Sequence, residues 1–205
     1  MRCTQVADQP FPDGEFFCRD WVIAVVRQPM AALLMEPPIE IEDAFYSDHE
    51  VLFNSLVTSI EWDARMSARR TASFGRPYNY SQIDYLETPI PIELQTLLAM
   101  LDKRLNIKFN NCLLNYYETG DNTMGFHSDE TTGLVSGTGV AIVSLGSIRD
   151  ITYRSKTQPE VQRSFPLKPG SLLYMDDVVQ ENWMHAIKRQ KDAGPRISLT
   201  WRAFR

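Results

Sequence analysis

From residue 107 onward the sequence is broken into short runs: "FNNCLLNYYE", "GVAIVSLGS", "DITYRSK", "RSFPLKPGSLLYM", "NWMHAI" and "RISLTWRAF". Each is rich in β-branched and aromatic residues and bounded by Gly, Pro or Asp, the signature of strands joined by tight connections. None shows the sustained 3.6-residue period of a helix. Upstream the pattern differs. "SDHEVLFNSLVTSI" predicts a helix with a capping box made by Ser47 and Glu50 and an apolar face of Leu52, Leu56 and Ile60. "PIELQTLLAMLDKRLN" predicts a second, with Pro91 in its first turn and Leu94, Leu97, Leu98, Leu101 and Leu105 along one face. Helices followed by a run of strands predict an α+β domain, its helices packed against an antiparallel sandwich or barrel. The 205 residues suit a single domain, 1–205, with residues 1–44 as an N-terminal extension.

No apolar run approaches the roughly 18 residues of a membrane span; "WVIAVV" and "MAALLM" are the longest. The opening "MRCTQVADQPFPDGEFF" lacks the basic start and apolar centre of a secretion signal. Cys3, Cys18 and Cys112 are odd in number and irregularly spaced, which predicts reduced thiols and a cytoplasmic location. The formal charge of −5 is unevenly spread: residues 1–64 carry 3 basic and 12 acidic side chains, so the remainder is net positive. An anionic ligand is expected on that remainder.

Only three histidines occur, and two fall in the strand-rich half. His127 and Asp129, in "MGFHSDE", are alternate residues whose side chains share one face if the segment is extended. His185, in "NWMHAIKR", is the third candidate ligand, whereas His49 lies within the first predicted helix as a solvated residue. Two imidazoles and a carboxylate on one face of an octahedral ion leave three positions open, which suits Fe(II). Taken alone, H-x-D with a distant H also fits two half-buried histidines bonded to backbone carbonyls. In "RISLTWRAFR" the residues Arg196, Ser198, Thr200 and Arg202 share one strand face, and Ile197, Leu199 and Trp201 the other. Arginines on a buried face require anionic partners, and a dicarboxylate provides them. An exposed polar strand face is the alternative.

In their order, these elements resemble iron(II)- and 2-oxoglutarate-dependent dioxygenases of the AlkB type, which carry N-x-Y, H-x-D, a distant H and R-x-N-x-T-x-R. Here those positions read Asn115 and Tyr117, His127 and Asp129, His185, and Arg196 to Arg202, from roughly residue 45 to the end. The resemblance implies a double-stranded β-helix (jelly-roll) core with supporting N-terminal helices. It implies Fe(II) on His127, Asp129 and His185, with 2-oxoglutarate and O2 as co-substrates. Arg196, helped by Tyr117, would pair the distal carboxylate, with Asn115 and Arg202 at the iron end. The family's asparagine is Ser198 here, a shorter side chain without an amide.

The best-known members remove methyl groups from N-alkylated bases in DNA or RNA, releasing formaldehyde. Their lid is basic and aromatic. Residues 64–81, "ARMSARRTASFGRPYNYS", have that composition, so Arg70, Phe74, Arg76, Tyr78 and Tyr80 become candidate substrate contacts. The base-reading acidic residue of the family falls on Thr131, with Glu130 beside it as the candidate. The expected partner is a methylated nucleic acid, short or single-stranded given the acidic N-terminal third. A small-molecule metabolite is the alternative substrate, and a monomer is expected.

Overall fold

The structure, a computed structural model, describes residues 35–80 and 83–205. Cys3, Cys18 and most of the 1–44 extension lie outside the described residues, as do the side chains of Tyr78 and Tyr80. In chain order the elements are β1 (Glu40–Glu42), α1 (His49–Ser59), β2 (Arg70–Gly75), β3 (Tyr78–Tyr80), β4 (Ile83–Tyr85) and α2 (Ile92–Leu105). They continue as β5 (Asn111–Tyr117), β6 (Met124–His127), β7 (Val140–Gly146), β8 (Arg149–Ser155) and β9 (Gln162–Leu167). Last come β10 (Leu172–Met175), α3 (Asp177–Asn182), β11 (Trp183–Ile187) and β12 (Arg196–Arg202).

Two antiparallel sheets form the body. The larger has the order β1-β10-β7-β12-β5-β2 and the smaller β6-β11-β8-β9, while β3 and β4 make a separate hairpin. The hydrophobic core accordingly has two parts. One lies between the large sheet and the helices, where Leu52 and Leu56 of α1 and Leu94, Leu97 and Leu101 of α2 meet Ile197, Leu199 and Trp201 of β12. The other contains Ile142 and Leu173 of the large sheet together with Ile151, Tyr153 and Ile187 of the small one. Strands covered on both faces need no polar side, which is why "VAIVSLG" reads as one apolar run. On β12 strict alternation sends Ile197, Leu199 and Trp201 toward the helices and leaves Arg196, Ser198, Thr200 and Arg202 lining the cleft between the sheets.

Leu101 of α2 is wholly buried. Replacing it with alanine removes apolar contacts and leaves a cavity, so Leu101→Ala should destabilise the fold by about 2–5 kcal/mol. A chemical-denaturation midpoint measures this.

Several local expectations are corrected. The Ser47–Glu50 capping box does not form. The helix starts one residue later than that box needs, with Asp48 as its N-cap and no side-chain cap bond; the Ser47 hydroxyl donates to the Asp48 carboxylate instead, at 3.4 Å. His49 is not freely solvated: it opens α1 half-buried, with its ring close to Gly170. "RSFPLKPGSLLYM" is two strands, because Gly170 takes a φ of +75° and a Cβ there would meet the Tyr46 carbonyl oxygen at 2.3 Å. Strands β1 to β4 were unforeseen, and β6 was anticipated only as an extended segment carrying His127.

Candidate metal centre and co-substrate cleft

His127 ends β6 and His185 sits in the middle of β11, and the two are register partners across the small sheet. Their rings lie 4.3 Å apart, centroid to centroid. Asp129 follows two residues after His127, where the Gln180 side chain accepts its backbone N–H at 2.9 Å. The ligand atoms of His127, Asp129 and His185 all lie within 4.8 Å of one another, a spread that one ion with bonds of about 2 Å can gather. Among the described residues this is the one such group found.

The protonation states suit a cation. Nδ1 of His127 lies 2.9 Å from the Gly125 carbonyl, so Nδ1–H donates there and Nε2 is left bare for a metal. Burial pushes the His185 imidazole down to about 4 against the opposing pull of Asp129, which keeps it neutral at pH 7. Burial alone would raise the Asp129 carboxyl, but the Arg202 guanidinium and then the two histidines outweigh it and hold the group at about 2. Arg202 donates from Nη2 to Asp129 Oδ1, and Oδ2, 3.6 Å from His185 Nε2, has no hydrogen-bond partner. A buried carboxylate oxygen without a donor among the described residues, beside two imidazoles, fits a metal ion.

The cleft runs from this trio to Arg196. That guanidinium is 1% exposed and bonds through Nη2 to the Ser144 hydroxyl at 2.9 Å, whereas Nε and Nη1 have no hydrogen-bond partner among the described residues. It lies 5.4 Å from the centre of the Tyr117 ring, with Arg149 a further 5.5 Å contact on the same ring. Burial pulls Arg196 down to about 10, so it remains a cation at neutral pH. A buried positive charge with unused donors, at the far end of a cleft that holds a metal-type donor set, fits a ligand with one chelating end and one free carboxylate. Asn115 and Ser198, register partners on β5 and β12, line the cleft between them. Apolar side chains supply much of the remaining lining of the cleft. Met124, half-buried and unbranched, is the most adaptable of them.

Residues 42–202 match the 2OG-Fe(II) oxygenase superfamily. The chain belongs to this superfamily. Its cofactor and co-substrates are accordingly Fe(II), 2-oxoglutarate and O2, and its relatives are of the AlkB type. The chain is 31% identical over 172 residues to mouse "Alpha-ketoglutarate-dependent dioxygenase alkB homolog 3", covering 74% of this chain and 60% of the relative. It is 35% identical over 146 residues to human "DNA oxidative demethylase ALKBH2", covering 65% of this chain and 56% of the relative. The matched region thus spans somewhat more than half the length of these curated relatives. The solved structure of OsALKBH1 superposes with a TM-score of 0.64 over 82% of this chain and 98% of that one, at 16% identity. The two sheets are therefore those of the superfamily's jelly-roll.

Of the residues singled out in the sequence, the structure brings together His127, Asp129, His185, Asn115, Tyr117, Arg196, Ser198 and Arg202 as walls of one cleft. Arg202 differs from expectation in its contact: its guanidinium holds the Asp129 carboxylate. The lid residues are rearranged more deeply. Residues 70–75 are not part of a loop but the edge strand of the large sheet. Arg70, Ala72 and Phe74 stand opposite Tyr116, Leu114 and Cys112, on the face turned to the helices. Phe74 packs in that core and Arg70 pairs with Glu118, so neither faces the cleft and the expectation of a substrate contact is withdrawn for both. Arg76 donates to the C-terminal residue's carbonyl, and Glu130 is exposed with its carboxylate accepting the Thr132 backbone N–H at 2.8 Å.

Four participants were missed. Arg69 is buried and its Nε donates to Asn115 Oδ1 at 2.8 Å, which turns the amide nitrogen away from that bond. Ser144, Arg149 and Gln180 support Arg196, Tyr117 and Asp129. The doubled arginine at Arg69–Arg70 was the one visible signal, and it read as part of a basic, aromatic substrate lid.

Proposed function

We propose that this protein is an Fe(II)/2-oxoglutarate-dependent dioxygenase that oxidatively demethylates N-alkylated nucleobases in DNA or RNA. The observation that carries the reading is the cleft itself: a His-Asp-His trio at one end, with Asp129 and His185 buried and His127 half-buried, and the buried Arg196 guanidinium at the other. His127, Asp129 and His185 hold the metal in this reading. Iron(II) bound there, with 2-oxoglutarate and O2, supplies the oxidant that hydroxylates a substrate C–H bond, with succinate and CO2 as co-products.

The chain's own residues bind and orient. Arg196 pairs the distal carboxylate of 2-oxoglutarate in place of its missing partner, steadied by Ser144 and the Tyr117 ring. Arg69 fixes the Asn115 amide so that its N–H groups are available to the co-substrate. Arg202 occupies Oδ1 of Asp129 and so leaves Oδ2 as the coordinating oxygen. The apolar walls, Leu113, Ile142 and Ile187 among them, exclude water from the reacting carbon. When that carbon is a methyl on nitrogen, the hydroxylated product is a hemiaminal that expels formaldehyde and restores the base.

Nucleobase demethylation is supported by the names of the AlkB relatives, one of them a "DNA oxidative demethylase". Residues 76–85, which include the β3–β4 hairpin, are the substrate lid in this reading; Tyr85 anchors the hairpin by sharing a 2.6 Å hydrogen bond with the Thr71 hydroxyl. A small-molecule substrate is the second reading. It is favoured by the state of the basic segment, where Arg65 and Arg70 are ion-paired and Arg69 is buried.

Formaldehyde release decides between them. Iron-dependent release from oligonucleotides bearing 1-methyladenine or 3-methylcytosine is the expected result. Turnover of 2-oxoglutarate that ignores every methylated oligonucleotide and nucleoside would exclude base demethylation.

A further inference from the structure

The small sheet has a second face. His127 and His185 are register partners directed into the cleft, so Phe126, Met184 and Lys188 turn to the opposite side of the same strands. Arg154 of β8, opposite Met184 in register, joins them. There the Arg154 guanidinium lies 4.1 Å from the centre of the Phe126 ring, and Lys188 Nζ lies 5.4 Å from the same centre. Two cations thus contact one ring, and Lys156 follows two residues after Arg154.

These cations have neutral partners. Arg154 donates to the Met184 sulfur at 3.7 Å, Lys188 to the Gln162 amide oxygen at 2.9 Å, and Lys156 to the Gln180 carbonyl at 2.6 Å. None of the three lies within 4.0 Å of a carboxylate among the described residues. Asp150, adjacent to Lys188 in register, is the acidic position on this face, so the three cations leave a net positive patch. Helices α1 and α2 pack on the far side of the large sheet and do not cover it.

The composition contrasts with the rest of the chain, which is net acidic. The Phe126 ring holds an arginine and a lysine in contact with it. It is a mount. The cation–π contacts hold two charges at fixed positions and lower the conformational entropy each would lose on binding an anion. Strand β6 is the edge of the small sheet and carries His127 next to Phe126, so a polymer with one unit in the cleft can pass round that edge onto the patch. We propose that the outer face of the small sheet, through Arg154 and Lys188 mounted on Phe126, binds phosphates of the nucleic-acid strand flanking the base held in the cleft. This rests on the nucleic-acid reading given above.

The test uses the full chain and an unmodified single-stranded oligonucleotide of about twenty nucleotides, followed by fluorescence anisotropy between about 50 and 200 mM salt. Arg154→Gln with Lys188→Gln should weaken binding about tenfold at low salt. It should also lower the slope of log affinity against log salt by about 1.4, since each single-strand phosphate contact contributes about 0.7. Arg154→Lys, which keeps the charge, should retain most of the slope. Arg104→Gln on α2 removes a cation elsewhere and should change neither quantity. Demethylation of a methylated mononucleotide, too short to reach the patch, should be unchanged in the double variant, with its denaturation midpoint showing an intact fold. A double variant that matches wild type in affinity and slope, while wild type acts on methylated oligonucleotides, overturns the patch alone. Failure of wild type to bind or demethylate any nucleic acid overturns the functional reading and the patch with it.

Discussion

Arg196→Met is expected to leave a folded protein that no longer responds to 2-oxoglutarate. In wild type the guanidinium is buried with two donors unused, an arrangement that costs stability until an anion arrives. Methionine has similar length, no charge and flexible packing, so without co-substrate the variant should be as stable as wild type or more so. With 2-oxoglutarate under anaerobic, turnover-free conditions, wild type should gain about 2.7 kcal/mol when the ligand is at a hundred times its dissociation constant. The variant should gain almost nothing at the same concentration, since breaking a buried charged pair from one side costs about 3–5 kcal/mol. Denaturation curves with and without the diacid read both quantities. A variant stabilised as strongly as wild type would mean that the distal carboxylate is held elsewhere.

The second large effect separates two proposed metal ligands that differ in what they do for the fold. Asp129→Ala removes the carboxylate that receives the Arg202 guanidinium, both side chains being at most 4% exposed. It should therefore destabilise the metal-free protein by about 3–5 kcal/mol. His185→Ala removes a neutral ring whose Nδ1 has no hydrogen bond, and its cost should be confined to the lost packing. Both should abolish iron binding and turnover. Adding Arg202→Met to Asp129→Ala should recover much of the stability and none of the metal affinity, measured by denaturation midpoint and by calorimetric titration with a divalent metal. If Asp129→Ala proves no more destabilising than His185→Ala, the Asp129–Arg202 contact is not what holds this end of the cleft together.

Much of this was readable before any coordinates. The alternation of "RISLTWR" separated four polar residues from three apolar ones because a strand has only two faces, and the structure turns the first set to the cleft and the second to the core. His127, Asp129 and His185 were found because histidine is scarce in this chain and their order fits the AlkB pattern. What escaped was long-range support. Arg69 is 46 residues from Asn115, and Gln180 is 51 from Asp129, so no local period or motif links them. The segment containing β2 misled through composition: two arginines and a phenylalanine resemble a binding loop, yet pairing with β5 fixes which way each points. Side-chain direction on an edge strand is decided by register, and register is a property of the partner strand.

Strand β12 is hydrogen-bonded on both sides and uses every one of its positions. A deletion or insertion of one residue within it would exchange the two sets at a stroke, driving guanidiniums beneath the helices and a tryptophan into the cleft. The hairpin, the loop after Asp129 and the outer face of the small sheet are under no such constraint: there a change of one side chain leaves the architecture standing.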